Sequence, residues 1–220
     1  MNTSDRQIVA VGAGHAHLHL AKHAAMLAQR GIGLTLIDPG LFWYSGLATG
    51  MLGGQYTVEQ DTLDPQPLAE PSGRFIRARV VSVDLPRRVV ELDDGQRVPF
   101  DRLSFNVGSE VTAHGIDGIE HAWTVKPMPN LARLREHLEQ RLTPGHPLRI
   151  AVVGSGATGC EIAANLLDLA RRRSGTVQLQ LFATSDRLMP DAPIGASRWL
   201  LRVLKEQGVT DELRTRIVAV

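Results

Sequence analysis

The 220-residue chain has a single cysteine, Cys160. That excludes an internal disulfide framework and any dithiol redox pair, and it fits a reducing compartment. Excess charge is missing too: 24 Lys and Arg against 23 Asp and Glu leave a net +1. No basic run is long enough to bind nucleic acid. The densest patch, Arg171-Arg172-Arg173, falls where a helix should end and reads as a complement to the helix dipole. No window reaches the roughly 18 apolar residues of a membrane-spanning helix. The polar start MNTSDRQ lacks the apolar stretch of a secretory signal. The expectation is a soluble, cytoplasmic chain, or one peripheral to the inner face of the membrane, with 43% hydrophobic residues to build a core.

Glycine, by contrast, is well represented and is placed at turns. Gln7–Val11 reads as a buried strand, followed by the turn Gly12-Ala13-Gly14-His15-Ala16-His17. A helix is expected from about His15 to Arg30, stopping at Gly31, and then a second buried strand over Leu34–Asp38. The same pattern returns later. Leu148–Val153 is a strand, Gly154-Ser155-Gly156-Ala157-Thr158-Gly159 the turn, Cys160 to about Arg173 the helix, and Thr176–Ala183 the next strand. Between the two units lie a long irregular region (residues 39–73), a β-rich stretch with a hairpin signal at Asp94-Gly95, and a helix around Pro129–Leu142. A helix over about Ala196–Gln207 and a final apolar run, Arg216–Val220, follow the second unit.

A strand, a glycine turn and a helix together make a phosphate site. The glycines let the backbone approach a pyrophosphate, the helix start supplies free amides, and an acid about 20 residues on holds a ribose. The first unit has its acid in Asp38, but His17 stands where the third glycine belongs, so wider helix–strand packing is expected. The second unit has all three glycines, but Ala183 stands where the acid belongs. That loss removes repulsion against a ribose 2′-phosphate, which Thr184, Ser185 and Arg187 would be placed to bind.

The alternating His15, His17 and His19 suggest a metal site at first sight. On a helix, however, only positions i and i+4 share a face. His15 and His19 would lack a third ligand, and no metal site is expected. His15 is expected to open the helix beside the phosphates, with His17 and His19 in packing or surface positions. Cys160, inside the second turn, is expected to be a small packed residue. Asp93 and Asp94 are explained by a turn, and no Ser-His-Asp arrangement is found.

Two such units separated by a β-rich segment resemble the flavoproteins with two dinucleotide-binding domains. These include the pyridine nucleotide-disulfide oxidoreductases, type II NADH dehydrogenases and sulfide:quinone oxidoreductases. Asn106-Val107-Gly108-Ser109 stands where these families have an ATGS marker, and within them the stretches GAGHAH, YSGLATGMLGGQYT and TVKP are most similar to the flavoprotein domain fused to selenide, water dikinase. The resemblance implies an α/β protein. A Rossmann-like, three-layer FAD-binding domain with a small β-meander (1–110) would lead through a connecting segment (111–147) into a second Rossmann-like domain for NADPH or NADH (148–220), incomplete because family chains run longer. It places Gly12, Gly14 and Asp38 on the adenosine diphosphate half of FAD, and Tyr44, Ser45 and the loop to Gly50 near the flavin. Gly108 falls at the flavin-domain crossover and Lys126 on the way to the second domain. Gly154, Gly156 and Gly159 hold the second pyrophosphate, and Glu161 lies near the nicotinamide.

The activity implied is hydride transfer from nicotinamide to flavin and onward to a quinone or another small acceptor. An apolar patch over residues 41–54 would face a quinone or cover the flavin. An incomplete flavin domain would expose core surface and favour homo-oligomers. The alternative is a nucleotide-binding module without turnover, or a degenerate partner subunit. A single-nucleotide dehydrogenase would need a catalytic domain that the sequence does not show.

Overall fold

A computed structural model describes residues 6–111 and 115–220. Residues 1–5, most of the polar start, lie outside the described part. The chain divides into two compact units: residues 1–43 with 62–109, and residues 44–61 with 110–220.

The first unit is built on a parallel sheet. Its strands are β1 (Arg6–Val11), β2 (Ile32–Ile37), β5 (Arg74–Ile76) and β9 (Arg102–Phe105), in the order β5-β2-β1-β9. Alternation along these strands feeds two separate cores. Val9, Val11 and Ile37 turn to one face, where an antiparallel meander of β6 (Val80–Asp84), β7 (Val89–Leu92) and β8 (Arg97–Pro99) covers them with Val90, Leu92 and Val98. Ala10, Leu34 and Leu36 turn to the other face with the alanines of α1 (His15–Lys22), α2 (Ala24–Ala28) and α5 (Gln66–Ala69). The result is three layers. A two-stranded ribbon, β3 (Phe42–Trp43) with β4 (Thr62–Leu63), brackets the excursion of residues 44–61.

The expected single helix from His15 to Arg30 is two. His23 breaks it, with φ −105° and ψ 14°. Its Nδ1 lies 2.8 Å from the His19 carbonyl, so the side chain takes a bond that the backbone of a continuing helix would claim. Gly31 does end the segment, with φ +71°. The stretch from Arg74, whose β character is clear from its residues, serves two sheets: β5 extends the parallel sheet and β6 starts the meander.

The second unit carries a parallel sheet of β10 (Leu148–Val153), β11 (Val177–Phe182) and β12 (Thr210–Glu212). Its main helices are α6 (Pro129–Arg141), α7 (Ala157–Arg172) and α8 (Ile194–Glu206). The excursion 44–61, expected to be irregular, forms two short helices, α3 (Ala48–Leu52) and α4 (Val58–Asp61), and α3 packs against α6 and α7. The final apolar run is not a strand of this sheet. β12 is instead the polar segment TDE, and the chain end pairs with Asp117 through the Val218 carbonyl and the Val220 amide.

Candidate functional site: two glycine turns

The first turn joins β1 to α1. Gly12 has φ +85°, and a Cβ there would come within 2.5 Å of the Asn106 carbonyl, so only glycine fits. Asp38, just past β2, reaches back to this turn. Its Oδ2 accepts the Ala13 amide at 2.7 Å and its Oδ1 accepts the Gly40 amide at 2.8 Å. Each carboxylate oxygen keeps a second lone pair for a sugar hydroxyl.

His17, expected in a packing or surface position, makes two hydrogen bonds inside the turn. It is 4% exposed. Its Nδ1 lies 2.6 Å from the Gly12 carbonyl and its Nε2 lies 2.8 Å from Ser104 Oγ. A neutral ring donating from Nδ1 and accepting the serine hydroxyl at Nε2 satisfies both contacts. The imidazole ties helix, turn and β9 together where the fingerprint has glycine, so the wider spacing is filled rather than left open. His15 sits edge-on to Phe42, with ring centroids 4.9 Å apart. His19 lies against His23, ring centroids 4.4 Å apart. Among the described residues no three His, Cys, Asp or Glu side chains cluster as metal ligands.

Asn106 is the residue of this turn that glycine spacing does not reveal. Its Oδ1 accepts the Ala16 amide at 3.3 Å, and its carbonyl accepts the Gly14 amide at 3.1 Å. A Cβ on Gly14 would lie 2.1 Å from that same Oδ1. The asparagine oxygen therefore sits on the helix start in the position of an acceptor for its free amides. The signal was its place in the segment Asn106–Ser109. Gly108, two residues on, has φ +79° and open space around it.

The second turn joins β10 to α7 and follows the full fingerprint. A Cβ on Gly159 would lie 2.0 Å from the Gly154 carbonyl, so the third glycine is what lets the helix close on the strand. Gly154, with φ +121°, and Gly156 have no atom within 4 Å of a would-be Cβ. Gly156 caps α7 without any side-chain bond. The first amides of a 16-residue helix thus face open space, with the partial positive charge of its N-terminus behind them. Cavities of about 760 Å³ and about 240 Å³ both border Gly154.

Glu161 is exposed just beyond the first turn of α7, where its Oε2 accepts the Thr49 hydroxyl at 3.2 Å. Cys160 is buried, and burial together with the neighbouring Glu161 carboxylate pushes its thiol up. Tyr44 and Ser45 are exposed at the start of the excursion, whose backbone is closed by the Tyr44 amide on the Asp61 carbonyl at 2.9 Å. The Lys126 carbonyl accepts the Thr124 hydroxyl at 2.9 Å.

Arg135 of α6, which sequence reasoning passed over, pins the excursion. Its Nη1 donates to the carbonyls of Met51 and Tyr56, each at 2.9 Å, while its Nε pairs with Glu139 at 2.8 Å. Burial pushes Glu139 up, but Arg135 and Arg173 outweigh it and hold the carboxyl below its ordinary value. Arg173 is therefore an ion-pair partner of Glu139, at 2.8 Å, rather than only a solvated helix end.

Two glycine turns, each between a parallel strand and a helix, define an α/β protein built to hold dinucleotides. The chain belongs to the pyridine nucleotide-disulphide oxidoreductase family, whose model matches residues 6–220. It is 29% identical over 219 residues to the probable ferredoxin reductase CtmF of Castellaniella defragrans, covering 95% of this chain and 50% of that protein. It is 34% identical over 91 residues to the type II NADH:quinone oxidoreductase of Haemophilus influenzae, covering 37% of this chain and 20% of that one. In fold it matches the structure of NDH2 from Plasmodium falciparum in complex with NADH. The TM-score is 0.81 at 18% identity, over 98% of this chain and 49% of that one. The chain thus spans half the length of CtmF and a smaller share of the H. influenzae enzyme. No helix among the described residues is long and apolar enough to cross a membrane.

Proposed function

We propose that this chain is the dinucleotide-binding part of an FAD-dependent NAD(P)H oxidoreductase. The observation that carries the reading is the pair of glycine turns. Asp38 is hydrogen-bonded back to the first, and the second is closed by Gly159 and opens at Gly156. Gly12, Gly14, His15, Asp38 and Gly108 would hold FAD. Gly154, Gly156, Gly159 and Glu161 would hold NADPH or NADH. Tyr44, Ser45 and Lys126 are proposed beside the flavin on the resemblance alone. When bound, the two cofactors supply the hydride chemistry; the chain's residues bind, orient and set the local charge. Cys160 is single and buried, so no disulfide takes part within these residues.

The acceptor is a quinone or an electron-carrier protein, since relatives named as quinone oxidoreductases and as ferredoxin reductases both match. The finer resemblance to the flavoprotein domain fused to selenide, water dikinase rests on GAGHAH, YSGLATGMLGGQYT and TVKP.

The test is an anaerobic titration of the FAD-reconstituted protein with NADPH and NADH, followed at the flavin absorption band. Bleaching supports the oxidoreductase. Flavin bands that persist at saturating nucleotide support the second reading, a nucleotide-binding module without turnover. Two observations favour that second reading: the missing acid at Ala183, and Asn106 Oδ1 on the helix amide.

A further inference from the structure

The nucleotide of the second site has no carboxylate to meet at the end of β11. Ala183 is buried there, and its backbone groups are fixed by the end of β12 and the segment that follows it. Its amide donates to the Glu212 carbonyl at 3.0 Å, and its carbonyl accepts the Thr215 amide at 2.8 Å. The Arg214 amide donates to the Ser185 carbonyl at 3.0 Å. These bonds lay residues 214–216 along the β11 end, so that Thr184, Thr215 and Arg216 line the 240 Å³ cavity beside Gly154 and Ser155.

Of the groups that the sequence suggested for a 2′-phosphate, Ser185 and Arg187 already make hydrogen bonds within the chain. Ser185 Oγ donates to the Arg187 carbonyl at 2.8 Å and receives the Ser155 hydroxyl at 2.5 Å. The Arg187 guanidinium donates one of its N–H groups to the Pro190 carbonyl. Arg214 faces Asp186 at 3.9 Å, which draws that carboxylate's charge toward a cation. Lys205 similarly occupies Asp211 at 2.8 Å. Arg216 is exposed and has no ion pair among the described residues.

We propose that the second site selects a nucleotide carrying a ribose 2′-phosphate, with Arg216 as its cationic partner and the hydroxyl of Thr184 as a donor. This rests on reading the second turn as the NAD(P) site. A guanidinium and a hydroxyl lining one cavity suit a phosphate dianion through charge-assisted hydrogen bonds. An aspartate at 183 would instead favour the free 2′-hydroxyl and repel the phosphate.

The experiment compares 2′,5′-ADP with 5′-ADP by calorimetry on the full chain, and repeats the comparison for Arg216→Gln and Ala183→Asp. The expected result is at least tenfold tighter binding of 2′,5′-ADP. Arg216→Gln should cut 2′,5′-ADP affinity more than tenfold and 5′-ADP affinity less than threefold, and Ala183→Asp should reverse the preference. Equal affinity for the two ligands, or a preference that survives Arg216→Gln, overturns the proposal while leaving the site reading in place. Binding of neither ligand by a chain with native circular dichroism overturns both.

Discussion

The imidazole of His17 lies with Nδ1 2.6 Å from the carbonyl of Gly12, five residues earlier and across the turn. One side chain thereby satisfies a buried carbonyl and, through Nε2, the hydroxyl of Ser104 on β9. His17→Ala removes both bonds and leaves a gap under α1. Loss of about 1–3 kcal/mol is expected from the unpaired Gly12 carbonyl alone. Urea denaturation checks this; a variant as stable as the parent would show that the imidazole does not tie the turn.

Asn106 competes for the amide that a cofactor phosphate would use. Its bond to Ala16 is 3.3 Å long and exposed, so releasing it costs at most about 1 kcal/mol. Asn106→Ala should therefore bind FAD as well as the parent or up to roughly fivefold tighter. Asn106→Asp puts a fixed negative charge on the helix start and should weaken FAD at least tenfold. Equilibrium dialysis measures both.

Asp61 is fully buried, and neither of its carboxylate oxygens has a hydrogen-bond partner among the described residues. Desolvation pushes it up to about 6. Because the folded state holds this proton more tightly than the unfolded chain, the stabilising contribution is full at low pH. It is lost as pH rises from about 4 through about 6, with roughly 3 kcal/mol at stake. Asp61→Asn should flatten that slope and be the more stable protein at pH 8. Denaturant midpoints at pH 5 and pH 8 for both chains test the sign.

Arg135 holds the carbonyls of Met51 and Tyr56 as well as Glu139. Arg135→Ala should cost about 1–3 kcal/mol, since it leaves the Met51 and Tyr56 carbonyls without their donor while Glu139 keeps Arg173. It should also make residues 44–61 the first site of limited proteolysis. Arg135→Lys should rescue only part, because an ammonium cannot reproduce the planar fork.

The glycine turns, the strands on either side of them and the long helices were legible in the sequence because periodicity and glycine spacing record local geometry. What escaped depended on distant partners. β12 is the polar TDE, a strand only because Gln180–Phe182 pair with it. α3 is five residues long, too short to announce itself, and is set by packing against α6 and α7. The break at His23 comes from a side-chain bond, and Asn106 reaches its turn across 90 residues of sequence.

The central claim is that the chain carries two separable dinucleotide sites, and the most direct measurement is the number of dinucleotides bound per chain. Gly156→Val adds a side chain where no atom lies within 4 Å and the backbone is extended (φ −69°, ψ 177°), so it should fold normally. One FAD and one NAD(P)H are expected per parent chain, and one FAD with no nicotinamide nucleotide for Gly156→Val. A parent chain that binds a single dinucleotide, or a Gly156→Val chain that keeps both, would contradict it.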